Sequence, residues 1–387
     1  MASDVAAFRA RFPILQEKIY LNSCSQGALS HDVEKAIGEW VLSWHRKGSP
    51  WDVWVDQYEA ARRQFASFIN ARPEEVAIVP SASAGVNSLA SALSYTERKK
   101  VVLGEFEFPT MGHIWLSQRA RGADVIFAEA AGNRMRPEAY DVLVDRNTLI
   151  VPVTHICFRN GFRSPLAEVV RIAHDRGALV LLDDYQDCGT RPIDVKAMNV
   201  DAYVSGTLKY LLGPPGVAFL YVREDLADSL VPTATGWFGQ RNPFAFDVKL
   251  LDPAPGTRRF ETGTPPIPSI YGAMTGVKLL QDLGLANVAA EVRRLTQALV
   301  QGVTELGVRI KTPADSVGPL VVLQAPDANN LVRIFDENRV VCSSRHDGLR
   351  LSLHAYNTLD EVKTVLSLIS QHLDLFTTSP APTGAAT

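Results

Sequence analysis

Three features of the sequence predict an α/β fold with a mainly parallel sheet and a smaller second domain. Between Glu75 and Arg223, short apolar runs alternate with helix-periodic segments. The runs are apolar throughout, as in strands covered on both faces, and strand–helix alternation favours parallel pairing. Near Leu251 the texture changes to turn-rich sequence, followed by further helices and short strands, which predicts a separate α+β unit.

Taken in order, the seven expected strands of the large domain are Val76–Pro80, Val101–Phe106, Asp124–Ala128, Leu149–His155, Ala178–Asp183, Ala202–Ser205 and Val217–Val222. Helices are expected at Ala84–Tyr95, Gly112–Arg121, Pro137–Val144 and Leu166–Arg176. The last places Leu166, Val169, Val170 and Ala173 on one face and stops at Gly177, a residue suited to the left-handed turn after a helix. Two turn-rich stretches, Asp252–Gly256 and Thr264–Pro268, lead into helices at Ser269–Leu283 and Val288–Leu306. Strands are then expected at Leu320–Leu323, Val340–Ser343 and Leu349–His354, with helices near Ala328–Asn338 and Leu359–Leu373. The expected division is residues 1–18 as a segment packing with the small domain, 19–265 as the large domain, 266–376 as the small domain and 377–387 as a disordered tail. Ligands of such a sheet bind beyond the C-terminal ends of its strands.

Composition narrows the function. The chain has 387 residues, 46% hydrophobic and 21% charged, enough for two or three ordinary domains at roughly 100–200 residues each. Lys plus Arg is 39 against 42 Asp plus Glu, a formal charge of −3, so no basic excess argues for nucleic acid or an anionic membrane surface. No apolar run approaches the roughly 20 residues of a membrane span, and the N-terminus lacks the apolar core of a signal peptide. The four cysteines (Cys24, Cys157, Cys188 and Cys342) form no C-x-x-C pair. A cytoplasmic protein with reduced thiols and no metal site is the expectation.

The chemistry concentrates at two strand ends. The apolar run Val180-Leu181-Leu182 leads directly into Asp183-Asp184-Tyr185-Gln186. A carboxylate at that position loses solvation unless a cation waits beside it. Twenty-six residues later, about one β-α-β step, Lys209 follows Ser205-Gly-Thr-Leu and precedes the turn Gly213-Pro-Pro-Gly216. This context suits an amine held in a partly desolvated pocket. Taken singly, an aspartate here can cap a helix and a lysine after a strand is usually solvated; the pair is more specific.

In this arrangement the chain resembles the class V aminotransferase family of pyridoxal-phosphate enzymes, which includes cysteine desulfurases, kynureninases and epimerases. The resemblance runs from about Ile19 to Val362 and implies the type I fold: a seven-stranded large domain and a smaller α+β domain. It implies that Lys209 carries pyridoxal 5′-phosphate as a Schiff base. Asp183 would pair with the ring nitrogen and Gln186 with the ring oxygen, while Asp184 and Tyr185 are structural neighbours. Ser205, near the lysine, is counted with the cofactor contacts. Ser83, Ala84 and Gly85, where a helix opens after a strand, would receive the phosphate; a plain serine cap is the alternative. Phe108 would stack on the ring. Gly263 and Thr264 would reach the phosphate of a neighbouring subunit, implying a homodimer with shared sites. Arg350, in Gly348-Leu-Arg350-Leu-Ser352, would grip the substrate carboxylate through its planar fork. Asn22 and Ser25 fall in a substrate-lining loop, and Trp237 in a segment resembling a kynureninase loop.

The sequence departs from the family at several places. Leu208 precedes the lysine where many relatives have His, and Gln240 stands where kynureninases have His. The position of a ring-contacting Asn is taken by Phe158, with Asn160 near enough to substitute. The expected activity is a cofactor-assisted reaction at the Cα of an amino-acid-like substrate. It leans to lyase-type cleavage, with transamination or epimerisation as alternatives. A persulfide-forming cysteine desulfurase is not expected, because Cys342 lies at the end of an apolar strand pattern, only 8 residues before Arg350. A nicotinamide-dependent dehydrogenase is disfavoured by the missing G-x-G-x-x-G at a first strand–helix turn. A non-catalytic binding protein is disfavoured by the joint presence of Asp183, Gln186, Lys209 and Arg350.

Overall fold

The seven apolar runs pair into one sheet. In the computed structural model, which describes residues 2–378, the strands are β1 (Val76–Val79), β2 (Lys100–Gly104), β3 (Asp124–Ala128), β4 (Thr148–Thr154), β5 (Leu179–Asp183), β6 (Ala202–Gly206) and β7 (Ala218–Val222). Their spatial order is β1-β7-β6-β5-β4-β2-β3. Strands β2 to β6 pair in parallel, and β7 runs antiparallel to both β1 and β6. Successive residues feed opposite cores. Ile78, Val102, Val153, Leu182 and Phe219 enter one apolar cluster, and Ala77, Val101, Ile150, Leu181 and Leu220 the other. Burial on both faces is why the inner strands read as continuous apolar runs, whereas the edge strand β3 exposes Asp124 and Phe127.

Two long helices before the sheet, α1 (His31–Lys47) and α2 (Trp51–Phe68), are not expected from the sequence pattern. The apolar face of α2 carries Trp54, Tyr58 and Phe65 into the first core, where the Phe65 and Phe219 rings stack with centroids 3.9 Å apart. Helix α3 (Ala82–Ala92) covers the opposite face. Gly85 lets α3 settle closely, since a Cβ there would lie 3.2 Å from Val79 and 3.3 Å from Leu220.

Helix α4 (Ile267–Leu283), expected to open the small domain, buries Ile270, Ala273, Val277 and Leu280 in the same core as Tyr58 and Phe65. The separate small-domain core begins on the next helix, α5 (Leu285–Glu305), with Leu295, Leu299 and Val303. There β8 (Leu320–Gln324), β9 (Ser343–Arg345) and β10 (Gly348–Ser352) form an antiparallel sheet in the order β9-β10-β8. The expected strand Val340–Ser343 splits at Cys342. Val340–Val341 pairs in parallel with Ile19–Tyr20, whereas Ser343 begins β9.

The N-terminal segment lies against the small-domain chain. Arg9 donates to Tyr356 O (2.8 Å) and pairs with Glu361 (2.7 Å), and Phe8 and Phe12 pack on the Tyr356 ring. Thr377 and Thr378, read from sequence as the start of a disordered tail, continue the ordered chain. Thr377 N donates to Gln324 O, and Thr378 bridges Val308. Residue 1 and the tail from 379 lie outside the described residues.

Candidate active site

Strand β5 ends at Asp183 and β6 at Gly206, so their continuations emerge side by side at the C-terminal edge of the sheet. They close the floor of a cavity of about 380 Å³. Its walls include Ser25, Ser83, Phe108, Asp183, Gln186, Lys209 and Arg350. Seven residues singled out from sequence, drawn from the large domain, the N-terminal loop and the small domain, therefore converge.

The loop bearing Lys209 is clamped from both domains. Gly27 N donates to Leu208 O (2.7 Å), and a Cβ on Gly27 would sit 2.4 Å from Lys209 O, so only glycine permits this approach. From the small domain, His354 Nε2 donates to Tyr210 O at 3.0 Å. Burial holds the imidazole pKa down near 4, which keeps it neutral, and its Nδ1 accepts from Ala355 N.

The Lys209 ammonium lies 4.4 Å from the Tyr185 ring centroid and 5.9 Å from that of Phe108. Desolvation lowers its pKa to about 8; Asp183 opposes that shift, and Arg350 and Arg345 reinforce it. Asp183 is raised to about 6 by burial, against the Tyr185 N–H that it accepts at 3.1 Å and the charge of Lys209. Burial pushes the nearby Glu107 carboxyl well above the usual range, and its Oε1 accepts from Thr154 N at 2.8 Å. A lysine and a carboxylate displaced toward each other in one enclosed space are the pattern of a chemical site.

Gln186 Nε2 donates to Cys24 O (3.1 Å), which leaves Oε1 buried without a partner. Arg350 is almost fully buried. It donates from Nη1 to Phe158 O (3.0 Å) and from Nη2 to Ser25 Oγ and Ser343 Oγ (both 2.9 Å).

At the N-terminus of α3, Ser81 Oγ accepts from Ala84 N (3.1 Å) and Ser81 O from Gly85 N (3.1 Å). The amides at Ala84 and Gly85 are therefore already engaged, and the end of the helix presented to the cavity is Ser81-Ala82-Ser83. Gly85 serves the helix–sheet packing described above.

Other expected residues lie elsewhere. Ser205 is buried, but it follows cavity-lining Val204 on β6 and so faces the opposite side of the sheet, with Tyr203 and Cys188. Asn22 bridges Ser352 behind the wall. Asn160 is spent away from the cavity, donating to Asn133 O of the turn after β3 and accepting from Phe162 N of its own loop, and Phe158 faces the cavity in its place. Trp237 packs among Phe238, Phe244 and Phe246, and Gly263 and Thr264 are exposed; none of the three lines this cavity. Conversely, Tyr185, read as a structural neighbour, lines the cavity, as do Cys24, Thr154 and Arg345. The period-two alternation after Asp183 carries the signal for Tyr185: Asp184 turns away to His155 Nδ1 (2.6 Å) and Tyr203 OH (2.9 Å).

Fold and site together define a type I pyridoxal-phosphate enzyme. Residues 44–365 match the family Aminotransferase class-V, and the chain belongs to that family. It is 35% identical over 364 residues to the uncharacterized aminotransferase YcbU of Bacillus subtilis, covering 94% of this chain and 96% of that protein. It is 28% identical to a probable cysteine desulfurase of Methanothermobacter thermautotrophicus, covering 92% and 94%. Among solved structures, the apo cysteine desulfurase from Thermococcus onnurineus NA1 superposes with a TM-score of 0.86 at 23% identity, covering 95% of this chain and 98% of that one, a likeness of fold.

Proposed function

We propose that Lys209 binds pyridoxal phosphate covalently, and that the chain uses it to act on the Cα of an amino-acid substrate, with lyase-type cleavage as the favoured outcome. The observation that carries this reading is the pairing of a pKa-lowered Lys209 with a pKa-raised Asp183 on the floor of one cavity. The donor set also fits the cofactor. An amine is available for the aldehyde, a carboxylate for the ring nitrogen, a helix N-terminus at Ser81–Ser83 for the phosphate, and an open acceptor at Gln186 Oε1 for a polar group. When bound, pyridoxal phosphate supplies an electron sink for the bonds of the substrate's Cα.

The chain's own groups do the rest. Asp183 holds a proton on the ring nitrogen. Phe108 and Tyr185 flank the amine and exclude water. Arg350 orients the α-carboxylate. The Lys209 amine would move the proton at Cα, and a pKa of about 8 keeps part of it neutral at physiological pH. A lyase is favoured over transamination or epimerisation by the chain's likeness to proteins named probable cysteine desulfurase and kynureninase.

A homodimer is part of the proposal. The segment carrying Phe244, Phe246, Val248, Leu250 and Leu251 is exposed and apolar, which suits a protein partner, and Gly263 and Thr264 project nearby in sequence. No helix among the described residues is long and apolar enough to cross a membrane. The four cysteines are unpaired, which supports a cytoplasmic setting.

The test is to reduce the cofactor-loaded protein with borohydride and map the peptide, then assay a panel of amino acids for products by mass spectrometry. The expected result is a phosphopyridoxyl group on Lys209, with cleavage products rather than only keto acids or inverted amino acids. A label on another lysine removes the site assignment, and exclusive transamination removes the lyase reading.

A further inference from the structure

The hairpin of β9 and β10 places a second arginine in the cavity. Ser343 is paired opposite Arg350, and Arg345 opposite Gly348. Side chains alternate along a strand, so Ser343, Arg345 and Arg350 share one face, with Arg345 diagonal to Arg350. The hydrogen bond from Arg350 Nη2 to Ser343 Oγ fixes that face toward the cavity, whereas Ser344 turns outward to Asn329. Arg350 and Arg345 both line the cavity, the first buried and the second exposed at its mouth.

Their partners are incomplete. Arg350 donates to a carbonyl and two hydroxyls, and Arg345 to the carbonyl of Ser344; neither forms an ion pair among the described residues. Asp183 faces Lys209, and the helix end at Ser81–Ser83 is the seat proposed for the phosphate, so neither anion is bonded to either guanidinium group. Buried Arg350 repels the Arg345 guanidinium at the mouth, and a counter-charge relieves that repulsion. The α-carboxylate of an amino acid neutralises one arginine. The other remains for a second anionic group at the mouth.

Resting on the active-site reading above, we infer that Arg345 is a specificity-determining residue and that the substrates are acidic amino acids, with an α-carboxylate on Arg350 and an anionic side-chain group on Arg345. Neutral amino acids then bind with one arginine unpaired, which the site disfavours.

The test separates binding from chemistry. The cofactor-loaded enzyme is titrated calorimetrically with succinate and glutarate, which have two carboxylates and no amine, and with butyrate, which has one. The expected result is tighter binding of the dicarboxylates, and a loss of about tenfold in their affinity in Arg345→Gln with butyrate unchanged, as removal of one charge-assisted pair implies. In turnover, the preference for aspartate over asparagine and for glutamate over glutamine should narrow by a similar factor in the same variant. Equal wild-type affinity for butyrate and succinate, or unchanged dicarboxylate binding in Arg345→Gln, overturns the inference. Borohydride labelling of Lys209 in wild type and Arg345→Gln is read in parallel. Labelled Lys209 without dicarboxylate selectivity refutes the role of Arg345 alone, whereas absence of the label refutes the active-site reading on which it rests.

Discussion

The cavity floor and the segment from Gly236 to Thr264 are both assigned to one site by the family resemblance, yet the chain holds them in different ways. Asp183, Gln186 and Lys209 follow the ends of two adjacent parallel strands, and the sheet fixes their separation. Trp237 sits in its own aromatic cluster, and Gly263 and Thr264 point to solvent, beside a stretch of exposed apolar residues. Residues whose placement is set by pairing within the chain converge in one subunit. Residues whose proposed work needs a second subunit do not, and in a single chain they resemble a surface loop. That contrast is sharpest if damage to the floor abolishes chemistry outright while damage to the loop acts through assembly.

The largest effect is expected at the floor. Lys209→Ala should prevent covalent capture of the cofactor and lower turnover by about 10²–10⁴-fold, the range for losing a positioned base. Asp183→Ala should leave cofactor weakly held and reduce turnover by roughly 10²–10³-fold, as for loss of one preorganised electrostatic partner. The pH dependence has a definite sign. Neutral amine is the reactive form, so capture of free pyridoxal phosphate should accelerate as pH rises toward about 8 and level off above it. Stopped-flow absorbance measures this rate. A rise continuing to the ordinary lysine range would mean that Lys209 is not desolvated as its surroundings imply.

The same contrast explains what the sequence reveals. Most of the seven strands are legible because burial on both faces makes them continuous apolar runs, the edge strand β3 with its exposed Asp124 and Phe127 being the exception, and Asp183 and Lys209 stand out because charges rarely follow such runs closely. Helices α1 and α2 are not legible: α2 spreads aromatic, polar and charged residues around its axis, and its pattern resolves only once Tyr58 and Phe65 are seen packed under the sheet. The side that Ser205 faces is not legible in the sequence, because one residue of strand register separates the cavity face from the opposite core. Cys342 divides what reads as one strand into two because its neighbours pair with different partners, a long-range choice with no local signal. Arg345 is hidden for a similar reason, since only the hairpin register reveals that it shares a face with Arg350.

An intermediate effect is expected at the loop. Phe246→Glu combined with Val248→Glu places two charges on the exposed apolar stretch without touching the cavity. If a second copy covers this surface, sedimentation velocity should show the wild type as a dimer and the variant shifted toward monomer. Turnover should fall, and dilution of the wild type should reproduce that fall. A variant that sediments as the wild type does would return the segment to the status of an ordinary surface loop.

The smallest effect is expected at Cys342, where likeness to proteins named cysteine desulfurases raises the question of a persulfide. That chemistry needs a thiolate able to reach the substrate's sulfur. Cys342 instead lies in the small-domain core with Leu21, Phe335 and Leu349, and burial pushes its thiol up to about 12. A thiol with that environment is almost wholly protonated near neutrality. It behaves as a small apolar side chain. Cys342→Ala should therefore cost about 1 kcal/mol of stability from the vacated volume, a typical value for a modest core truncation, and leave turnover unchanged. Denaturant titration measures the first quantity. Incubation with L-cysteine, alkylation and peptide mapping addresses the second. A persulfide on Cys342 together with loss of alanine release in the alanine variant would show that the small-domain hairpin opens far enough to expose the thiol, and would make Cys342 part of the site rather than of the core beneath it.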